Sequence, residues 1–260
     1  MIFPVLIRFG PLLLHPHTVF DLLAYTVGFR LFLSQRRRLG DTIDARARWT
    51  VVAAAIFGAA IGSKLFFWLE DPAETLAHWN DPFFLLGGKT IVGGIIGGLI
   101  GVELEKRWAG LTRRTGDLFA MPLAVGIAIG RIGCFLSGLP DRTYGASSAL
   151  PWAVDFGDGV PRHPTQLYES MAMALAAMVL GRLTRRPHRE GDAFKLFMTM
   201  YFGLRLAVDA IKPEVRIFLG LSSLQWASVA VLLYYGNDVR RWVTEGWSGD
   251  RSRAAAGSAT

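Results

Sequence analysis

The segment Gly116–Gly138 constrains this chain more than any other. It is apolar over membrane length, yet it opens on Asp117 and carries Arg131 deep inside. An arginine at bilayer depth costs about 2.5–3.5 kcal/mol on insertion scales, so its guanidinium must face a wet cavity or an anionic partner. Gly126, Gly130, Gly133 and Gly138 surround it. Glycines lack a Cβ and so let a second backbone or a ligand come close. The planar guanidinium fork matches the oxygens of a phosphate or carboxylate. The segment reads as a lipid-headgroup site.

The rest of the chain agrees with a bilayer as solvent. Hydrophobic residues make up 52% of the 260, which is high for a domain that must present a polar surface to water. Seven stretches approach the ~20 apolar residues that a bilayer core demands. They are Thr18–Leu33, Thr50–Leu69, Phe84–Leu104, Leu118–Leu136, Thr165–Leu183, Ala193–Ile211 and Ser222–Val239. An open sheet cannot satisfy its backbone in lipid, so the expected fold is an all-α integral membrane protein of seven transmembrane helices. Residues 1–247 form one such domain, and 248–260 read as a disordered cytoplasmic tail. The N-terminal run is broken by Pro4, Pro11 and Pro16 and lacks a basic lead. It is therefore expected to be retained along the interface rather than cleaved as a signal.

Charge in the connections orients the helices. Arg36, Arg37, Arg38, Arg46 and Arg48 follow the first span, and Lys106, Arg107, Arg113 and Arg114 follow the third. Arg182, Arg185, Arg186 and Arg189 end the fifth, and Arg240 and Arg241 follow the seventh. The connection between the second and third spans is acidic, with Glu70, Asp71, Glu74 and Asp81. The positive-inside rule then places the N-terminus outside and the C-terminus in the cytoplasm. The net charge of +7 is accounted for by one membrane face that attracts anionic lipid, without nucleic acid. Nothing in the spacing suggests a zinc, nucleotide or haem site, and no metal or cofactor is expected. The single cysteine, Cys134, excludes an intramolecular disulfide and reads as a small inert residue.

The outer segment Ser137–His163 is long and rich in Pro, Gly and Asp, as functional loops often are. It runs into Arg162-His163-Pro164-Thr165-Gln166-Leu167-Tyr168-Glu169-Ser170. Pro164 suits the start of the fifth span, so Gln166 and Glu169 share a helix face. Each candidate has a plainer alternative. Arg205 and Asp209, four apart, can neutralise each other. Gln166 and Glu169 can be interhelical glue, and Gly93, Gly97 and Gly101 form a small-residue stripe suited to close helix packing. Lys64 can snorkel or reach a lipid phosphate.

Together these residues resemble the prolipoprotein diacylglyceryl transferase family. The run Asp117, Pro122, Gly130-Arg131-Ile132-Gly133-Cys134-Phe135 is similar to the family signature, and 162–170 resembles a second motif. Tyr201-Phe202-Gly203-Leu204-Arg205-Leu206-Ala207-Val208-Asp209, with Lys212 and then Leu221-Ser222-Ser223-Leu224-Gln225, resembles a third. Gly62-Ser63-Lys64-Leu65-Phe66-Phe67 is similar to an earlier element, with Lys64 in an arginine's place. The resemblance implies a multi-pass inner-membrane enzyme in lipoprotein biosynthesis. Such an enzyme moves diacylglyceryl from phosphatidylglycerol to the lipobox cysteine of a prolipoprotein signal peptide. It implies catalytic roles for Arg131, Arg205, His163 and Glu169. It implies substrate contacts from Arg131, Gly130, Gly133, Asp117, Gln166, Tyr168, Asp209, Lys64 and Lys89. The thiol proton is left to His163, Glu169 or the substrate phosphate.

Departures from the pattern keep other readings open. Val92 stands where the family usually has a third-span histidine, and Cys134 and Ser137 replace two signature asparagines. Leu139 replaces its glutamate, with Asp141 nearby. A phospholipid-binding scaffold, or a transferase with another acceptor, would keep the arginines and lose the histidine. A transporter would show inverted repeats, and no such symmetry is seen.

Overall fold

A computed structural model describes residues 3–247. The tail at 248–260, expected to be disordered, lies outside the described residues. In chain order the helices are α1 (Pro16–Leu39), α2 (Ala45–Glu70), α3 (Pro72–Ala77), α4 (Pro82–Gly87) and α5 (Ile91–Trp108). They continue with α6 (Asp117–Ser137), α7 (Thr165–Leu183), α8 (Asp192–Asp209), α9 (Ser223–Tyr234) and α10 (Gly236–Glu245). Two short antiparallel hairpins accompany them, β1 (Ile7–Phe9) with β2 (Leu12–Leu14) and β3 (Val154–Asp155) with β4 (Pro161–Arg162). The N-terminal segment expected along the interface thus forms a hairpin, turned at Gly10 with φ 59°.

Among the described residues, and by length and composition alone, α2 and α6 are the helices long and apolar enough to cross a membrane. The expected third span at Phe84–Leu104 is corrected at its start, because the helix α5 begins only at Ile91. The side chain of Asp81 caps α4 by accepting from the Phe83 and Phe84 amides. Thr90 Oγ1 then starts a new helix by accepting from the Gly93 amide at 3.0 Å. Two capped N-termini so close together cannot belong to one continuous helix. The seventh stretch is also divided, into α9 and α10, at Tyr235–Gly236.

The described residues form two compact units. The first comprises the described parts of Met1–Gly40, Thr115–Pro213 and Val231–Thr260. In it α6 packs on both α1 and α7, and α8 packs on α6 and α7. Gly133 makes the α1–α6 approach possible, since an added Cβ would strike the Cβ of Phe20. Phe197, Met198 and Phe202 of α8 and Met173 and Leu180 of α7 are buried.

The second unit comprises Asp41–Arg114 and Glu214–Ala230. Its centre is α2 packed along α5. Gly58 and Gly62 of α2 face Gly93, Gly97 and Gly101 of α5 so closely that an added Cβ at Gly97 would collide with the Gly58 carbonyl. The small-residue stripe is therefore a packing seam. Its backbones touch because neither helix has a side chain there.

Candidate functional site

Three helices of the first unit converge on one carboxylate. Arg131 of α6 places Nη2 at 2.6 Å from Glu169 Oε2 on α7. Arg205 of α8 places Nη1 at 3.2 Å from both oxygens of Glu169. Lys212, just past α8, donates from Nζ to Glu169 Oε1 at 3.0 Å. Arg205 Nη2 also pairs with Asp209 Oδ1 at 2.6 Å, one helical turn along. All five side chains are buried.

Charges this deep persist only when paired and hydrogen-bonded. Three cations face two carboxylates, so the cluster keeps one positive charge in excess. Among the described residues, several polar atoms in its walls have no hydrogen-bond partner. They are Arg131 Nε, both amide atoms of Gln166 and the Tyr201 hydroxyl. Gln166 is fully buried one turn before Glu169 on α7. Buried polar groups are normally satisfied, so unpaired donors beside excess positive charge suit an incoming anion. Gly130 leaves open space, since an added Cβ would meet nothing within 4 Å.

Other residues expected at the site lie elsewhere. Asp117 stands fourteen residues before Arg131, roughly 21 Å along a helix at 1.5 Å per residue. Its carboxylate accepts from the Gly191 amide at 2.7 Å and the Phe194 amide at 3.0 Å, fastening the start of α8. His188 joins it at 3.7 Å. The Asp117 pairing raises His188 above its ordinary value, against the opposing effect of burial.

His163 and Tyr168 form a neighbouring group, with Nδ1 3.3 Å from the tyrosine Oη. Trp152 Nε1 donates to that same Oη at 2.8 Å. Arg162 clasps Asp158 with two bonds of 2.7 Å, and this pairing holds the Asp158 carboxyl down at about 2. Lys64 and Lys89 belong to the second unit. The ammonium of Lys64 donates to the carbonyls of Leu86 and Gly88, around the end of α4. Lys89 is exposed, and Val92 is buried in α5.

Two features go beyond the expected residues. Lys212 completes the cation set. It was legible as part of the third motif, three positions after Asp209, but its reach to Glu169 depends on how α8 ends. The second is His17 of α1, Cys134 of α6 and Asp141 of the following turn, whose donor atoms all lie within 4.8 Å of one another. His17 Nε2 is in contact with Asp141 Oδ1, and Thr143 donates to Oδ2. Burial works against ionisation of Asp141, but the bonds from His17 and Thr143 outweigh it and hold the carboxyl below its usual range. Positions so far apart in sequence give no local signal.

The profile of the prolipoprotein diacylglyceryl transferase family matches residues 4–236. A phosphatidylglycerol–prolipoprotein diacylglyceryl transferase of Bordetella bronchiseptica is 33% identical over 254 residues, covering 88% of this chain and 91% of the relative. Enzymes of the same name from Cupriavidus necator and Methylococcus capsulatus are 31% and 32% identical, each covering 88% of this chain and 89% of the relative. The chain belongs to the prolipoprotein diacylglyceryl transferase family.

Proposed function

We propose that this protein transfers diacylglyceryl from phosphatidylglycerol to the thiol of a lipobox cysteine in a prolipoprotein signal peptide. The observation that carries the reading is the buried cluster of Arg131, Arg205 and Lys212 around Glu169, with unpaired donors on Gln166 and Tyr201 beside it. In the reaction a sulfur–carbon bond forms at the glycerol carbon as the carbon–oxygen bond to phosphate breaks. The electron pair leaves on the phosphate oxygen, and glycerol phosphate departs. Charge developing on that oxygen needs cations held in place before the reaction, and loss of one such donor costs about 10²–10³ in rate.

Arg131 and Arg205 hold the phosphodiester and the departing phosphate. Glu169 and Asp209 keep those cations in position and offset the cost of burying them. Glu169, flanked by three cations, is a counter-ion first. The thiol proton then falls to His163, which sits with Tyr168 at the start of α7, or to the substrate phosphate. The protein is a multi-pass protein of the inner membrane, one transmembrane domain of seven spans with the N-terminus outside and the C-terminus in the cytoplasm.

One observation favours a second reading. Val92 is buried and carries no proton-transfer group where the family usually has histidine. A phospholipid-binding scaffold, or a different acceptor, is consistent with that. Purified protein incubated with labelled phosphatidylglycerol and a lipobox peptide separates the readings. Transfer to the cysteine peptide and not to its serine counterpart is the expected result. An unmodified peptide beside an active control enzyme would favour the scaffold.

A further inference from the structure

His17, Cys134 and Asp141 come from the first turn of α1, the last turn of α6 and the turn after it. One nitrogen, one sulfur and one carboxylate donor gather within 4.8 Å. Zinc binds such donors at about 2.0–2.3 Å in tetrahedral geometry, so modest side-chain adjustment closes the set. A mixed imidazole, thiolate and carboxylate set is soft enough to favour zinc over magnesium or calcium. Cys134 is buried, and Asp141 is nearly so.

The surroundings are those of a ligand set. His17 presents Nε2 to the cluster, while Nδ1 lies 3.8 Å from Asp21 Oδ2, an ion-pair distance that a small ring rotation shortens to a hydrogen bond. A carboxylate behind the second ring nitrogen is how metal-bound imidazoles are usually oriented. Cys134 Sγ lies 3.9 Å from Arg131 Nη1, so the group adjoins the anion-binding cluster. Cys134 is also where the chain departs from the signature's asparagine.

We propose that His17, Cys134 and Asp141 bind one divalent ion of the zinc class, whose open fourth position takes the thiolate of the acceptor. The second clause rests on the transferase reading; the first does not. Three protein ligands leave a coordination position open, as catalytic zinc sites do. A thiol bound there loses its proton outright. The acceptor S–H proton, released as the sulfur binds, passes to His163 or to an oxygen of the substrate phosphate. Sulfur attacks the glycerol carbon, and the carbon–oxygen pair leaves with glycerol phosphate on Arg131 and Arg205. The ion is neither oxidised nor reduced. It supplies the thiolate in a chain that carries valine at position 92.

The test uses the full chain, purified in detergent and equilibrated with Zn²⁺ or Co²⁺. The expected result is about one zinc per chain and, with cobalt, a near-ultraviolet thiolate-to-metal band. Cys134→Asn, which installs the residue common at that place, keeps the fold and loses that band. Asp21→Asn weakens zinc binding by about 10–100-fold through the histidine it orients. Adding a lipobox peptide then shifts the visible cobalt spectrum, and the serine peptide leaves it unchanged. If the parent takes up no zinc, or Cys134→Asn and the parent take up the same, the site is overturned and the cluster is an ion pair of His17 with Asp141. If metal binds but the cysteine peptide leaves the spectrum unchanged, the thiol role is overturned. A spectral shift without peptide lipidation would uphold the site while sinking the transferase reading.

Discussion

Glu169 is the residue on which the site depends, because Arg131, Arg205 and Lys212 all bond to it. Glu169→Gln leaves those buried cations short of a charge, and breaking one side of a buried ionic set typically costs about 3–5 kcal/mol. Denaturant unfolding in detergent is expected to show a loss of that order, while Gln166→Leu, which removes two unpaired atoms, is expected to leave stability nearly unchanged. Arg131→Ala is expected to lower turnover by about 10²–10³, and Arg131→Lys not to restore it, because an ammonium cannot make two parallel bonds to phosphate. A lysine variant with parental turnover would remove bidentate recognition from the account. His188 carries a pH dependence of its own. Its value in the folded chain is raised by Asp117, so the pair stabilises the start of α8 fully below the unfolded value of about 6.5. That contribution is lost as pH rises through the raised value. Hydrogen exchange at 191–195 is expected to speed up over that rise, and His188→Gln to abolish the pH effect. At this scale Arg131 was plain in the sequence, since a guanidinium inside an apolar run is costly and marks function by default. Lys212 was visible in the third motif, but its bond to Glu169 and the gathering of His17, Cys134 and Asp141 were hidden, because only the folded chain brings those residues together.

Among the elements, the glycine stripe of α5 was readable as a packing face from its spacing, whereas its partner, α2 with Gly58 and Gly62, is known only from the fold. Gly97→Ala would push a Cβ into the Gly58 carbonyl, so it is expected to destabilise the second unit and lower the detergent unfolding midpoint. Gly87→Ala, which meets nothing within 4 Å, is the matched control. α7 runs over the expected Thr165–Leu183, where Pro164 sets its start. The third and seventh stretches are divided because hydropathy averages over a window, whereas helix ends obey single residues. Asp81 supplies a cap just before the third stretch and Thr90 a second one inside it. Asp117 shows the same limit from the other side. The family resemblance implied a substrate contact for Asp117, whereas in the fold the backbone amides 74 and 77 positions away donate to its oxygens.

The whole molecule is tested through its membrane orientation and through its reaction. Cysteine labelling in intact cells is expected to reach Ala149→Cys from outside and Arg113→Cys only after the membrane is opened, since the cationic connections mark the cytoplasmic face. Both positions are exposed, whereas native Cys134 is buried and adds little background. Reversed labelling at both would overturn the seven-span orientation. The central claim is diacylglyceryl transfer to a prolipoprotein, and it is tested most directly in a bacterium depleted of its own transferase. The measurement is the fraction of a prolipoprotein converted to its lipidated form when this chain is supplied. Conversion by the parent and none by Arg131→Ala at equal membrane levels is the expected outcome. Unmodified prolipoprotein in cells whose membranes hold the intact parent chain would contradict it.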